Sequence, residues 1–135
     1  MAIFSCRSDN QDLVTILHQI KKIDVTRVNA GKVQLSEDTR WEKAIVSMAY
    51  LKPEPIANEA GLDSDETVKL KDILWGNELC KIVLIQKGKI IAYSSIKSSV
   101  EISRPGYLVI SPSEPEIYFK VNPTGHFKIE LGQRF

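Results

Sequence analysis

The sequence predicts an α+β domain in which two N-terminal helices pack on a C-terminal antiparallel sheet of about five strands. Three observations predict it. Leu13, Ile16, Leu17, Ile20 and Ile23 recur at three- and four-residue spacing, the mark of a helix with one apolar stripe. Thr39 and Glu42 have capping-box spacing around Trp41, Ala44, Ile45, Met48 and Ala49, which predicts a second helix ending near Leu51 or Lys52, ahead of Pro53. From Lys81 onward, short β-rich runs alternate with glycine- and proline-bearing breaks, the pattern of a strand meander.

Taken in order, the first helix is expected to start near Ser8 or Asp9, either of which can cap its first turn. Asp9 and Asp12 then lie at its positive end and Lys21 and Lys22 at its negative end, as the helix dipole favours. Residues 25–35 read as loop or weak strand, with a turn at Asn29-Ala30-Gly31 and with Val33 and Leu35 alternating against Lys32 and Gln34. Residues 53–66 read as a connector holding one or two helical turns, with Pro55 at a first helical position and Gly61 as a left-handed C-cap. Asp63-Ser64-Asp65-Glu66 reads as a polar break, and 67–79 fits a strand or a short helix equally well.

The runs Ile82–Ile85 and Ile90–Tyr93 predict a hairpin turning at Lys87-Gly88, with apolar residues on both faces. Further strands are expected at 100–103, 107–111, 116–121 and 126–131. For the last hairpin, a three-residue Pro123-Thr124-Gly125 loop predicts Val121 opposite Phe127, Phe119 opposite Ile129 and Ile117 opposite Leu131. Tyr118, Lys120, Asn122, His126, Lys128 and Glu130 then share the polar face, with Lys120 opposite Lys128.

A chain of 135 residues fits one domain, here spanning residues 1–135, and needs neither disulfide nor metal to fold. Its 43% hydrophobic and 26% charged residues are those of an ordinary globular protein. The longest apolar candidate, 82–96, is broken by Gln86, Lys87, Gly88 and Lys89, so no membrane span is expected. The first residues lack a secretory pattern, which makes a cytoplasmic protein the expectation. Cys6 and Cys80 are too few for a disulfide framework, and Cys80 reads as a small buried hydrophobe.

No hydrolase, zinc, nucleotide-loop or calcium-loop motif occurs, and His18 and His126 read as surface or boundary histidines. The expectation is therefore no catalytic residues, no cofactor and no metal. Charge is unevenly spread: residues 1–67 carry 8 basic and 11 acidic side chains, and residues 68–135 carry 10 and 6. The favoured function is a non-enzymatic protein that binds, and neutralises or steers, one protein partner, in the manner of an inhibitor, immunity protein or antitoxin. An acidic set of Asp9, Asp12, Glu37, Asp38, Asp63, Asp65 and Glu66 suits a basic partner. Tyr118, Lys120, His126 and Lys128 on the last hairpin are the second candidate contact.

Two alternatives stand beside it. One is nucleic-acid binding by a sheet face bearing Lys69, Lys71, Lys81, Lys87, Lys89 and Lys97 with Tyr93, Tyr107 and Tyr118. The other is a small enzyme or ligand carrier with a helix–sheet pocket near His18, His126 or Cys80. A homo-oligomer is compatible with the two-faced apolar strand Ile82–Ile85.

Overall fold

The computed structural model describes residues 11–35, 41–76, 78–96 and 100–133. Among these the chain forms three helices and eight strands in two sheets, which corrects the expected two helices and single antiparallel sheet.

The elements are α1 (Gln11–Lys21), β1 (Ala30–Gln34), β2 (Lys43–Met48), α2 (Pro53–Ala60), α3 (Ser64–Leu74), β3 (Cys80–Gln86), β4 (Lys89–Ser95), β5 (Val100–Ile102), β6 (Tyr107–Ile110), β7 (Glu116–Val121) and β8 (Ile129–Gly132). One sheet runs β4-β3-β2-β6 and is antiparallel throughout. The other runs β1-β7-β8-β5, and its β5–β8 pair is parallel. The meander fails because β5 and β6 join different sheets; β6 crosses to pair with β2, and β5 pairs with β8.

Residues of alternate parity assign the layers. Ala44, Val46, Ile82, Leu84 and Ala92 from one sheet meet Val33, Ile117, Phe119, Ile129 and Leu131 from the other in a shared core, joined by Leu13, Ile16 and Ile20 of α1. The opposite face of the first sheet, through Ile45, Val83, Ile85 and Ile90, packs on Ile56, Ala57, Ala60, Leu70, Ile73 and Leu74 of α2 and α3. The β4-β3-β2-β6 sheet is thus the middle layer, covered on both sides.

That middle position explains why β2 was expected to be helical. A strand buried on both faces has apolar residues at consecutive positions, so it also satisfies a three- and four-residue spacing. Ile45-Val46 carries the β-branched preference that decides for strand. Thr39, the other half of the expected capping box, lies outside the described residues. Glu42 serves the β3–β4 turn instead, its carboxylate accepting from the Lys87 amide at 2.6 Å. Lys87 and Gly88 both take positive φ (54° and 74°) there, as the expected tight hairpin requires.

The segment 53–74 holds more helix than expected. Pro53 opens α2, and Gly61 ends it with φ 77° as a left-handed cap. The acidic run 63–66, which from sequence fits a solvated loop or a helix start, is the start of α3: the Asp63 side chain accepts from the Glu66 amide at 2.9 Å as its N-cap. The expected turn at Asn29-Ala30-Gly31 is likewise corrected, because Ala30 and Gly31 pair with Lys120 and Phe119.

The final hairpin differs from its expected register by two residues. Val121 pairs with Ile129, Lys120 with Glu130 and Phe119 with Leu131. A two-residue slip keeps every side chain on its own face, so apolar pattern alone cannot choose between the two registers. Charge can: the observed register sets Lys120 against Glu130, whereas the expected one sets it against Lys128. The longer connection closes with Asn122 N–H donating to Lys128 O and Gly125 N–H to Asn122 O.

Gly31 admits a direct check. A Cβ there would lie 2.8 Å from Phe119 Cζ, inside contact distance of a buried ring. Gly31→Ala is expected to cost about 1–2 kcal/mol in urea unfolding. A variant as stable as the parent would show that the ring is not held where the structure puts it.

Candidate functional site

Three large exposed side chains come from separate segments whose backbones are hydrogen-bonded to one another. Tyr50, Trp75 and Leu79 are 57%, 51% and 55% exposed. Tyr50 follows β2, Trp75 caps α3, and Leu79 precedes β3. The Tyr50 and Trp75 rings meet edge to face, centroids 6.0 Å apart at 66°. Lys71, one turn back on α3, sets its ammonium 5.3 Å from the centroid of the Trp75 ring. Val68, also exposed, lies seven residues before Trp75 and so on the same helical stripe.

The backbone beneath is pinned. Ala49 N–H donates to Leu79 O at 2.7 Å, and Tyr50 N–H donates to Leu74 O at 3.0 Å, tying the β2–α2 loop to both ends of the α3–β3 connection. Trp75 Nε1 donates to Leu51 O at 3.3 Å. The buried Lys81 places Nζ 3.1 Å from Ile73 O, where a cation suits the carbonyl end of a helix. Tyr50 itself has φ 64°, a left-handed conformation that a bulky side chain adopts only under constraint. The fold thus fixes the backbone that presents two aromatic rings, an aliphatic side chain and a cation to water.

A second feature lies along the open edge of β6. Two depressions of about 250 and 320 Å³ share Val109 and Gln133 in their walls. Glu114, Glu116 and Tyr118 line one, and Glu59, Arg104 and Tyr107 the other. Tyr107 OH donates to Glu59 Oε1 at 3.1 Å. Burial, and then this carboxylate, push the phenol above its usual range. Gly106 packs against Leu51, so this edge adjoins the loop that carries Tyr50.

The described residues among those expected from sequence fall on separate elements. Asp9, Glu37 and Asp38 lie outside the described residues, and Asp12 falls in α1 with its side chain outside them. Asp63 is engaged as the α3 cap, and Asp65 is exposed beside it. Glu66 is 1% exposed, with its carboxylate accepting from Ile90 N–H at 2.8 Å and Lys69 Nζ at 2.9 Å. It joins α3 to β4. Tyr118 and Lys120 do share the outer face of the β1-β7-β8-β5 sheet, with Lys32, Glu101, Glu116 and Glu130. His126 and Lys128 lie in the β7–β8 connection, where the His126 ring meets Phe127 edge to face and Lys128 Nζ donates to Pro123 O. The layer order puts this face on the opposite side of the molecule from α3.

His18 and His126 are on different elements, and Cys80 is buried, its thiol pushed up to about 12 by burial, far from a reactive thiolate. Among the described residues no group of three or more His, Cys, Asp and Glu is placed to hold a metal ion. Among the same residues no helix is long and apolar enough to cross a membrane. Comparisons with protein-family models, with curated proteins and with solved structures found no match.

Sequence reasoning passed over Tyr50 and read Trp75-Gly76-Asn77 only as a break. The signal for Trp75 was present: Leu70, Ile73 and Leu74 define the buried stripe of α3, and Val68 and Trp75 fall off it.

Proposed function

We propose that this chain is a non-enzymatic partner-binding protein whose anchor is the Tyr50–Trp75–Leu79 cluster. The observation that carries the reading is the strained, pinned presentation of two aromatic rings to water. Tyrosine and tryptophan supply large contact area with few torsions to freeze, and they dominate binding energy at protein interfaces. A prepinned backbone lowers the ordering cost of association. The finer reading is an inhibitor-, immunity- or antitoxin-type protein of the cytoplasm that neutralises or steers one protein. The nucleic-acid reading has less support: of its lysines, Lys69 and Lys71 stand on α3 and not on a sheet face, Lys69 is paired with Glu66 at 2.9 Å, Lys81 is buried against Ile73 O, and Lys97 lies outside the described residues.

The test uses the partner retained by the wild-type chain from its native lysate, once that partner has been identified and purified. Trp75→Ala is expected to weaken its affinity about 30-fold or more, while Val14→Ala, at an exposed position on α1, leaves it unchanged. Equal affinity for both variants sinks the reading. Stability gives an independent sign. Tyr50→Gly relieves the left-handed strain and is expected to raise unfolding stability by about 0.5–1 kcal/mol while it lowers affinity. Losing both together would mean that Tyr50 serves the fold.

A further inference from the structure

We infer that the open edge of β6 takes up an extended, lysine- or arginine-bearing segment of another protein as an added strand. This goes beyond the aromatic anchor and does not rest on it.

The edge is legible from the ladder. Met48 N–H donates to Gly106 O at 2.9 Å, and the register continues through Val46↔Leu108 and Ala44↔Ile110. In an antiparallel pair the bonded positions alternate. Gly106, Leu108 and Ile110 therefore turn their backbone groups toward β2, and Tyr107 and Val109 turn theirs outward. Among the described residues β6 ends its sheet, so these outward groups meet no neighbouring strand there. The Val109 carbonyl instead draws the Gln133 side-chain amide at 3.5 Å, a long contact that a backbone donor would improve on. The two depressions on either side of Val109 supply the space that such a segment needs.

Charge selects the occupant. The walls carry three carboxylates, Glu59, Glu114 and Glu116, against one guanidinium, Arg104; Lys32 already offsets Glu116 at 3.4 Å, which leaves Glu59 and Glu114 as the carboxylates that face a bound segment. Main-chain pairing would give affinity, and alternate side chains reaching these carboxylates would give specificity. Tyr107 and Tyr118 offer flat walls for the stems of long basic side chains.

The experiment titrates the full, isotopically labelled chain with the synthetic peptide Lys-Val-Lys-Val-Lys-Val and with its Glu-Val counterpart, at about 20 mM salt. The lysine peptide is expected to bind about tenfold tighter or more, to weaken as salt rises, and to slow hydrogen exchange at the Tyr107 and Val109 amides. Glu114→Lys should erase or invert the preference between the peptides. Val109→Pro removes an outward donor and leaves the β2 bonds in place, so it should abolish binding and keep cooperative melting. If that variant does not fold, Glu114→Lys decides. Equal affinity for the two peptides, or unprotected Tyr107 and Val109 amides at saturation, overturns the inference. Protection of those amides without peptide, rising with concentration alongside a dimer mass, also overturns it by assigning the edge to a second copy.

Discussion

Leu84→Ala is expected to destabilise the protein by about 3–5 kcal/mol, measured by urea unfolding. Leu84 is fully buried (0% exposed) in β3, between the two sheets. Its cross-strand neighbours are Ala44 on β2 and Ala92 on β4. One large side chain therefore fills a row whose other members are small. Truncating it leaves a cavity that the flanking alanines cannot reach into, so collapse cannot recover the lost contacts. A domain of this size is stable by roughly 5–15 kcal/mol, so the variant is expected to lose a large share of its stability. Val14→Ala, at an exposed site on α1, is the matched control and should stay within about 0.5 kcal/mol of the parent. A Leu84→Ala cost below about 1 kcal/mol would mean that the sheets do not face each other across this row.

Glu66 is the second large expectation. It links α3 to β4 through Ile90 N–H and Lys69 Nζ. Glu66→Ala leaves the Ile90 amide buried without its acceptor and is expected to cost about 2–4 kcal/mol at pH 7. Burial alone would raise the Glu66 pKa, but the Ile90 amide and the Lys69 ammonium together hold it below its ordinary value of 4.5. A carboxyl whose folded pKa is depressed contributes stability in full above its unfolded value. That contribution fades as pH falls through the folded pKa. The wild-type advantage over Glu66→Gln should therefore be constant from pH 7 to about 5.5 and shrink as pH drops below 4.5. An advantage that stays constant into acid would show that Glu66 is not ionised in the folded protein.

How much of this was legible follows from how local each signal is. The α1 stripe and the Gly61 cap depend on residues within one or two turns, and both read correctly. β2 misled because a strand covered on both faces imitates a helical stripe, and its partners β3 and β6 lie far along the chain. The β5–β8 parallel pair has no local mark, since the two strands are joined through another sheet. Within the site residues, Glu66 read as a solvated acid, although it shares helical spacing with Leu70 and Ile73 and so falls on the buried stripe. Tyr50 was illegible because its exposure follows from a left-handed backbone fixed by Leu74 and Leu79. Its neighbours in sequence carry no hint of that constraint.

The central claim is that the Tyr50–Trp75–Leu79 cluster meets a protein partner. A photo-crosslinking amino acid placed at position 75 of the full chain, in its native lysate, tests it most directly. One adduct of defined mass is expected from position 75, lost when Tyr50→Gly is added, and none from position 14. No adduct from position 75, or the same adducts from both positions, would contradict it.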